Sequence, residues 1–365
     1  GVAVLYGVTG TLNMADIAQK LPAVPASDRG LLHAGAAILA IAFLAKAGLW
    51  PLNFWLPPAY AAASAPAAAV FAILTKVGVY AVLRLWTLCF PAGAGASAGF
   101  GGDVLVWGGL VTLAYGAVGM LASQQLARLA AYSVIASSGT LVATIGFDAP
   151  MLSGGALFYL ASSTLAGCAM FLLVELLERS RQVEVGPQQV DDGNYALPAF
   201  FDAEPPPGTN LDDDEEALIG RAIPAALAFL GLTFTVCALV TAGLPPLSGF
   251  VAKLAMLTAL LGLQTPAAWT LFVLLILSGL FGAMSLMRVG MRHFWTTQDR
   301  PPPRLRVIET LPIAGLLAAS LAMVLQAEAG LAYTRAAAEA LHAPALYIDA
   351  VMGAQPVPRV TGDAP

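Results

Sequence analysis

Eight stretches of this chain are apolar over a length that matches the hydrocarbon core of a bilayer. A spanning helix needs roughly 20 mostly apolar residues. Runs of that kind fall near residues 31–50, 64–88, 104–122, 127–147, 152–178, 222–262, 268–290 and 307–327, after a possible partial helix at 1–8. Soluble domains carry about 25% charged residues; here only 11% are charged and 58% are hydrophobic, too little charge to cover a water-facing surface. The expected class is an all-α polytopic membrane protein, because in lipid each backbone polar group of a span must be satisfied within its own helix. The opening lacks a Met and starts inside an apolar run, so a preceding segment is expected.

Several function classes fall away. The formal net charge of −5 gives no basic footprint, so nucleic acid is not an expected partner. Cys89, Cys168 and Cys237 stand singly in apolar runs and read as small packing residues, with no metal site or disulfide indicated. There is no Gly-rich phosphate loop, nucleophile elbow or HExxH. No cofactor and no enzymatic chemistry are expected; the expected partners are membrane lipid and transported ions.

Two of the eight runs cannot be plain helices. The 222–262 run contains "AGLPPLSGF" at 242–250, where Gly243, Pro245, Pro246 and Gly249 interrupt the hydrogen-bond ladder. It predicts one discontinuous helix, broken around 243–249. The first run ends in "FLAKAGLWPLNFWLPP" at 43–58, with Gly48, Pro51 and Pro57 predicting a break around 48–58. Non-helical backbone at membrane depth persists only where protein buries it or water reaches it. Paired breaks therefore point to a polar cavity, as in transporters.

Lysines sit beside these breaks. The chain has four, Lys20, Lys46, Lys76 and Lys253, and the last three interrupt apolar runs. An ionised lysine at a span's centre costs about 2.5–3.5 kcal/mol on insertion scales. Low dielectric disfavours the charged form of an amine, so such a lysine can gain and lose a proton. Lys46, Lys76 and Lys253 are read as proton carriers. In "ARLAAYSVIASSGTLVATIGF", Ser133, Ser137, Thr140 and Thr144 recur at i, i+4, i+7 and i+11, four hydroxyls on one helix face. The stripe either holds a file of water or packs helices closely; both readings stand. Glu175 and Glu178 are read as an interfacial patch with Arg179 and Arg181, and His33 and His293 as interfacial.

Alternate connections put Arg128, Arg179, Arg181, Arg221, Arg288, Arg292, Arg300, Arg304 and Arg306 on one side. Lys20, Arg29, Arg335 and Arg359 fall on the other. Arginine-rich loops stay cytoplasmic. The layout expected is thus a partial helix and external loop (1–30), a first unit ending at 88, a second unit (104–290) with a cytoplasmic acidic loop at 180–221, a last span (307–327) and an external tail (328–365). "RPPPR" at 300–304 reads as a stiff connector.

Three strings, "KAGLWPLNFWLPPAYAAASAP", "RLAAYSVIASSG" and "AGLPPLSGFVAKLAML", resemble the proton-conducting, antiporter-like membrane subunits. That family includes the D subunit of the multisubunit Mrp/Pha-type monovalent cation (K⁺ or Na⁺)/proton antiporters and three related subunits of respiratory complex I. "LYGVTGTLNMADIA", "LLVELLER" and "AEALHAPALYIDAVM" extend the likeness to about residue 350. The resemblance implies a fourteen-helix fold with two inverted five-helix repeats, each with one broken helix, the chain beginning near the end of the sixth. It implies that Lys46 and Lys253 are the lysines of the two broken helices and Lys76 that of the helix after the first. It also implies a glutamate partner for Lys46 on an earlier helix, outside this sequence. Complex I subunits typically read His-x-Trp-Leu-Pro-Asp-Ala-His across the first break; Asn53, Trp55, Leu56, Pro57, Pro58, Ala59 and Tyr60 stand there instead, and Ser137 replaces a usual histidine. These departures resemble the antiporter's D subunit. The implied function is proton conduction in a cytoplasmic-membrane antiporter, coupling proton influx to K⁺ or Na⁺ efflux beside other subunits. The competing class is a proton-pumping subunit of a redox-driven NADH-quinone oxidoreductase-type complex.

Overall fold

The computed structural model describes residues 1–182, 225–295 and 305–354, and every long element among them is helical. The order is α1 (Val2–Thr9), α2 (Met14–Lys20), α3 (Ala26–Ala47), α4 (Leu56–Ala62), α5 (Ala65–Cys89), α6 (Gly102–Ala122) and α7 (Leu126–Gly146). Then come α8 (Pro150–Gln182), α9 (Ala225–Ala242), α10 (Ser248–Leu263), α11 (Pro266–Gly290), α12 (Val307–Leu325), α13 (Ala327–His342) and α14 (Pro344–Met352). Among the described residues eight helices are long and apolar enough to cross a membrane, and each overlaps one of the eight apolar runs. The acidic loop at 180–221, the "RPPPR" string, Arg221 and Arg359 lie outside the described residues, as do the side chains of Arg179 and Arg181.

The connections gather at two ends. At one end Glu175 on α8 accepts from the Ala65 N–H of α5 (3.1 Å). There too Arg288 on α11 donates to the carbonyls of Leu121 and Ser123 (2.7 and 2.9 Å). At the other end Trp86 donates to Phe100 O (2.7 Å), and His342 Nδ1 is 3.0 Å from Asp148 Oδ1 between α7 and α8.

Close packing starts from small residues. A methyl group added at Gly109 or Gly116 of α6 would overlap the backbone of Ala143 or Ala136 on α7. Absent side chains let two helices approach backbone to backbone in lipid, and here they lock the α7 hydroxyl face into the interior.

Both breaks are present, with one construction. Gly48 follows α3 at φ +78°, Gly243 follows α9 at φ +77°, and both take the left-handed region that suits glycine. Gly48 N–H donates to Ala45 O and Leu49 N–H to Leu44 O. Gly243 N–H donates to Val240 O and Leu244 N–H to Leu239 O. Each is a Schellman closure, satisfying carbonyls the helix end would leave free. "Ala-Gly-Leu-Trp-Pro" at 47–51 and "Ala-Gly-Leu-Pro-Pro" at 242–246 are its local signature, with Pro51, Pro245 and Pro246 in the gaps.

The gaps are shorter than the sequence suggests: 48–55 and 243–247. Pro57 lies in the first turn of α4, where a missing N–H costs nothing because that donor has no helical partner. Gly249 lies in the first turn of α10, where an added methyl would overlap the Val240 carbonyl, so it is a point of close approach rather than of interruption.

The segment after 327 also differs from a plain tail, since 327–342 and 344–352 are helical. In α13 the buried Ala338 and the close approaches of Gly330 to Phe158 and of Arg335 to Gly154 hold it along α8. Leu331 and Leu341 pack on the core from the same helix, while Glu328, Thr334, Arg335 and Glu339 keep it from being a continuous apolar run.

Candidate functional site

The middle of the bundle is built from α5, α7, α8, α11 and the α9–α10 break. Lys76, halfway along α5, is 4% exposed. Its Nζ donates to Ser137 Oγ on α7 and lies 3.4 Å from Ser138 Oγ. Ser137 itself donates to Val134 O (2.8 Å), which leaves its lone pairs for the lysine. Lys253, in the second turn of α10, is 7% exposed, and its Nζ donates to Ala242 O at 2.8 Å. That carbonyl belongs to the last residue of α9 and is free of a helical partner because the break follows it.

Between the lysines lies a cavity of about 30 Å³, lined by Ser133, Ser137, Ser162, Thr241, Lys253 and Ser278 among others. A water needs roughly 10–15 Å³ of such space, so the cavity is of a size for about two. Ser133 and Ser278 donate to carbonyls of their own helices, Ala130 O (2.7 Å) and Leu275 O (2.9 Å), and so present acceptor oxygens inward. Ser162 continues into a buried chain of hydroxyls, 2.8 Å from Ser248 Oγ, which is 2.8 Å from Ser320 Oγ. The chain joins α8 and α12 to the first residue of α10 and fixes where that half-helix begins.

A second cavity, about 270 Å³, opens at the end that carries Glu175, and Tyr60, Glu175 and Glu178 line it. The Tyr60 hydroxyl is 2.9 Å from Thr75 Oγ1, the residue before Lys76.

The residues singled out in the sequence do not all converge. Ser133 and Ser137 reach the central cavity, Thr144 lines a separate void of about 10 Å³, and Thr140 lines neither. Thr140 donates to Ala136 O (3.0 Å) and stands within hydrogen-bonding reach of Tyr159, which lines the central cavity. Ser138, off the stripe, contacts Lys76 because the lysine reaches α7 between two successive residues. Lys46, in the last turn of α3, is exposed, unlike the other two. Glu175 caps α5, a use the local sequence does not show. Tyr159, Ser162 and Ser163, with Ala166, line the cavity at i, i+3, i+4 and i+7. That spacing marks one helix face and is a signal the sequence does carry. His33 stacks on Phe100 (centroids 4.1 Å apart), and His293 Nδ1 is 2.9 Å from Val289 O. Neither lines the central cavity.

Among the described residues no group of three or more His, Cys, Asp or Glu could hold a metal ion. The chemistry these side chains support is proton exchange between amines, hydroxyls and water.

The chain is similar to several known proteins. The chain is 48% identical over 362 residues to the D subunit of a probable K⁺/H⁺ antiporter of Rhizobium meliloti (strain 1021), covering 97% of this chain and 65% of that protein. It is 32% identical over 356 residues to the Na⁺/H⁺ antiporter D subunit of Bacillus subtilis (strain 168), covering 96% and 64%. It therefore spans about two thirds of the length of these relatives. The fold matches a chain of the Mrp complex from Dietzia sp. DQ12-45-1b with a TM-score of 0.71 at 22% identity, over 96% of this chain and 66% of that one. Residues 1–191 match the family described as NADH:quinone oxidoreductase/Mrp antiporter, TM, and the chain belongs to that family of multi-pass membrane proteins.

Proposed function

We propose that this chain is the proton-conducting D subunit of a multisubunit monovalent cation/proton antiporter in the cytoplasmic membrane, coupling proton entry to K⁺ or Na⁺ export. The observation that carries the reading is the pair of buried lysines, Lys76 and Lys253, facing one hydroxyl-lined cavity through Ser137 and directly. Neither lysine has a carboxylate within ion-pair distance among the described residues. Each is held by neutral oxygens that accept a hydrogen bond from either protonation state, so losing the proton leaves no counter-charge stranded. A proton on Lys76 passes toward Ser137, crosses the cavity on water and is taken up by Lys253 on the Ala242 carbonyl. Tyr60, Glu175 and Glu178 form the approach at one end. Lys46 lies outside this pair, and its glutamate partner is expected on a helix that precedes this sequence. The names borne by the Rhizobium and Bacillus relatives support the antiporter branch. The partners proposed are the other subunits of that complex, the ions and membrane lipid.

The test is cation-induced change of the pH gradient in vesicles holding the full complex, with subunit content measured in the same membranes. Lys253→Ala keeps a strong helix former in α10, so the complex should assemble while antiport falls to background. Lys253→Arg should fail as well, since a guanidinium holds its proton above about pH 12. Near-normal antiport in either variant ends the proton-carrier reading.

The arginine-rich end is proposed to be cytoplasmic. A single cysteine at Gln124, in the α6–α7 connection, should then be protected from a membrane-impermeant thiol reagent added outside, and one at Ala345, in α14, should react. Reversed or equal labelling overturns the orientation.

A further inference from the structure

Away from Glu175, the bundle holds the small void of about 10 Å³. Val79 and Leu83 line it from α5, three and seven residues after Lys76. Leu141 and Thr144 line it from α7, four and seven residues after Ser137. These spacings keep to the helix faces that carry the Lys76–Ser137 bond. The void therefore lies about one helical turn, roughly 5.4 Å, beyond that bond. It is of a size for about one water. Ser153, near the start of α8, lines it as well.

Ser153 differs from the hydroxyls of α7. Ser133, Ser137, Thr140 and Thr144 each donate to a carbonyl of their own helix. Ser153 Oγ instead meets Nε2 of His342, at the end of α13, at 3.0 Å. On the other edge of that ring, Nδ1 is 3.0 Å from Asp148 Oδ1, in the turn at 147–149 between α7 and α8. A turn between two spans lies at a membrane face whatever packs beside it. Asp148, His342 and Ser153 thus form a line from that face to the void. The same three residue types serve hydrolases, but a void for one water leaves no room for an acyl group. Arg335 and Glu339 of α13, Arg84 of α5, Asp103 of α6 and Asp349 of α14 are the other charged groups on the surrounding elements. None of them forms an ion pair with His342 among the described residues.

We propose, on the basis of the antiporter function and orientation above, that Asp148, His342 and Ser153 form the external proton entry, delivering protons through water in the void to Lys76. Histidine is the side chain that ordinarily exchanges protons between pH 5 and 8. The protonated ring donates from both nitrogens and the neutral ring from one. The ring takes a proton on the side of Asp148 and releases one on the side of Ser153. The Ser153 hydroxyl, with no carbonyl of its own helix to hold it, turns to pass the proton to water. Thr144 is already spent on Leu141 O (2.7 Å) and adds nothing that this water does not supply.

The test uses right-side-out vesicles holding the full complex and loaded with K⁺ or Na⁺, with internal acidification and subunit content read together. Glutamine can hold both hydrogen bonds of the imidazole but carries no proton. His342→Gln should lower antiport on the order of 100-fold, the low end of what a positioned acid–base group supplies, at normal subunit content. Arg335→Gln, on the same helix against Gly154, should stay near the unaltered protein. In His342→Ala, free histidine added outside as an impermeant imidazole buffer should return part of the rate. Glycine at the same concentration, which does not titrate near neutral pH, should not. Three results would each make His342 a docking contact for α13 and overturn the proposal. They are near-normal antiport in His342→Gln, an equal loss in Arg335→Gln, and no return with histidine. Lys253→Ala in the same assay separates this from the antiporter reading. Antiport at background there leaves that reading standing whatever His342 does, and near-normal antiport there ends both.

Discussion

The two helix breaks share a backbone and differ in what surrounds their lysines. Each ends a helix with Ala-Gly-Leu, a left-handed glycine and the same pair of closing hydrogen bonds. Lys46 stands two residues before Gly48, on the half-helix that enters the break. Lys253 stands ten residues after Gly243, on the half-helix that leaves it. The helices run in opposite directions: α3 starts at the end holding Trp86 and Phe100, whereas α9 starts at the end holding Glu175. Lys46 lies beside Gly78, midway along α5, and Lys253 beside Gly279, midway along α11, so both stand near mid-depth. Their burial is unlike. Lys253 is enclosed by α9, α10 and α11 and bonded to a carbonyl the break has freed, while Lys46 is exposed. At Lys253 the break supplies a polar foothold, the Ala242 carbonyl, and α11 closes over it.

The comparison can be broken by moving the lysine. Thr241 stands two residues before Gly243, the place of Lys46 relative to Gly48, and it lines the central cavity. In a Lys253→Ala background, where antiport is expected at background, Thr241→Lys should restore a small but measurable rate. Recovery should be far from complete, because a misplacement of about 1 Å can cost on the order of 100-fold. Complete failure, with normal assembly, would show that the carbonyl contact of Lys253 matters more than an amine in the cavity. Full recovery would show that position relative to the break is immaterial.

A smaller effect is expected from the wall that holds Lys253. A methyl group added at Gly279 on α11 would sit 2.7 Å from Ala242 O and 3.4 Å from Lys253 Nζ. At Gly282, one turn along, the nearest atom is Met120 Cε at 3.7 Å, an ordinary contact. Gly279→Ala should displace the carbonyl or the ammonium and lower antiport about tenfold, equivalent to about 1.4 kcal/mol, with little change in assembly. Gly282→Ala should sit close to the unaltered protein. Equal behaviour would mean that α11 does not position Lys253.

How much of this is legible in the sequence follows from what each feature depends on. Bilayer-length apolar runs give the spans because length and composition alone suffice. The breaks are legible because Ala-Gly-Leu followed by proline is a local signal. Ser138 at Lys76 depends on how α5 is rotated against α7. The α8 face is legible in the spacing of Tyr159, Ser162, Ser163 and Ala166, whereas Thr241 of α9 and Ser278 of α11 do not stand out because serine and threonine also line dry helix contacts in lipid. The helix α13 is hidden because Glu328, Thr334, Arg335 and Glu339 interrupt it, so a search for apolar length passes over it.

The smallest effect concerns the two serines that meet Lys76, and it sharpens the contrast between a lysine held by side chains and one held by backbone. No substitution removes the Ala242 carbonyl from Lys253, but alanine can remove each hydroxyl from Lys76 separately. Ser137 accepts from Lys76 and also lines the cavity, so Ser137→Ala takes away both the partner and the link to Lys253. Ser138 lies at 3.4 Å, is not among the cavity-lining residues, and can take over part of the hydrogen bonding. Losing a partner of a buried polar group costs about 1–3 kcal/mol, and the remaining serine limits that cost. Ser137→Ala should therefore slow antiport several-fold, and Ser138→Ala less. Thr144→Ala, which alters only the separate void, should change it least. The double variant Ser137→Ala/Ser138→Ala should lose more than the product of the single effects, because each serine covers for the other. Rates are read in vesicles normalised to subunit content. Multiplicative single effects would mean that the serines act independently, and equal effects of Ser137→Ala and Thr144→Ala would reduce the hydroxyl face of α7 to helix packing.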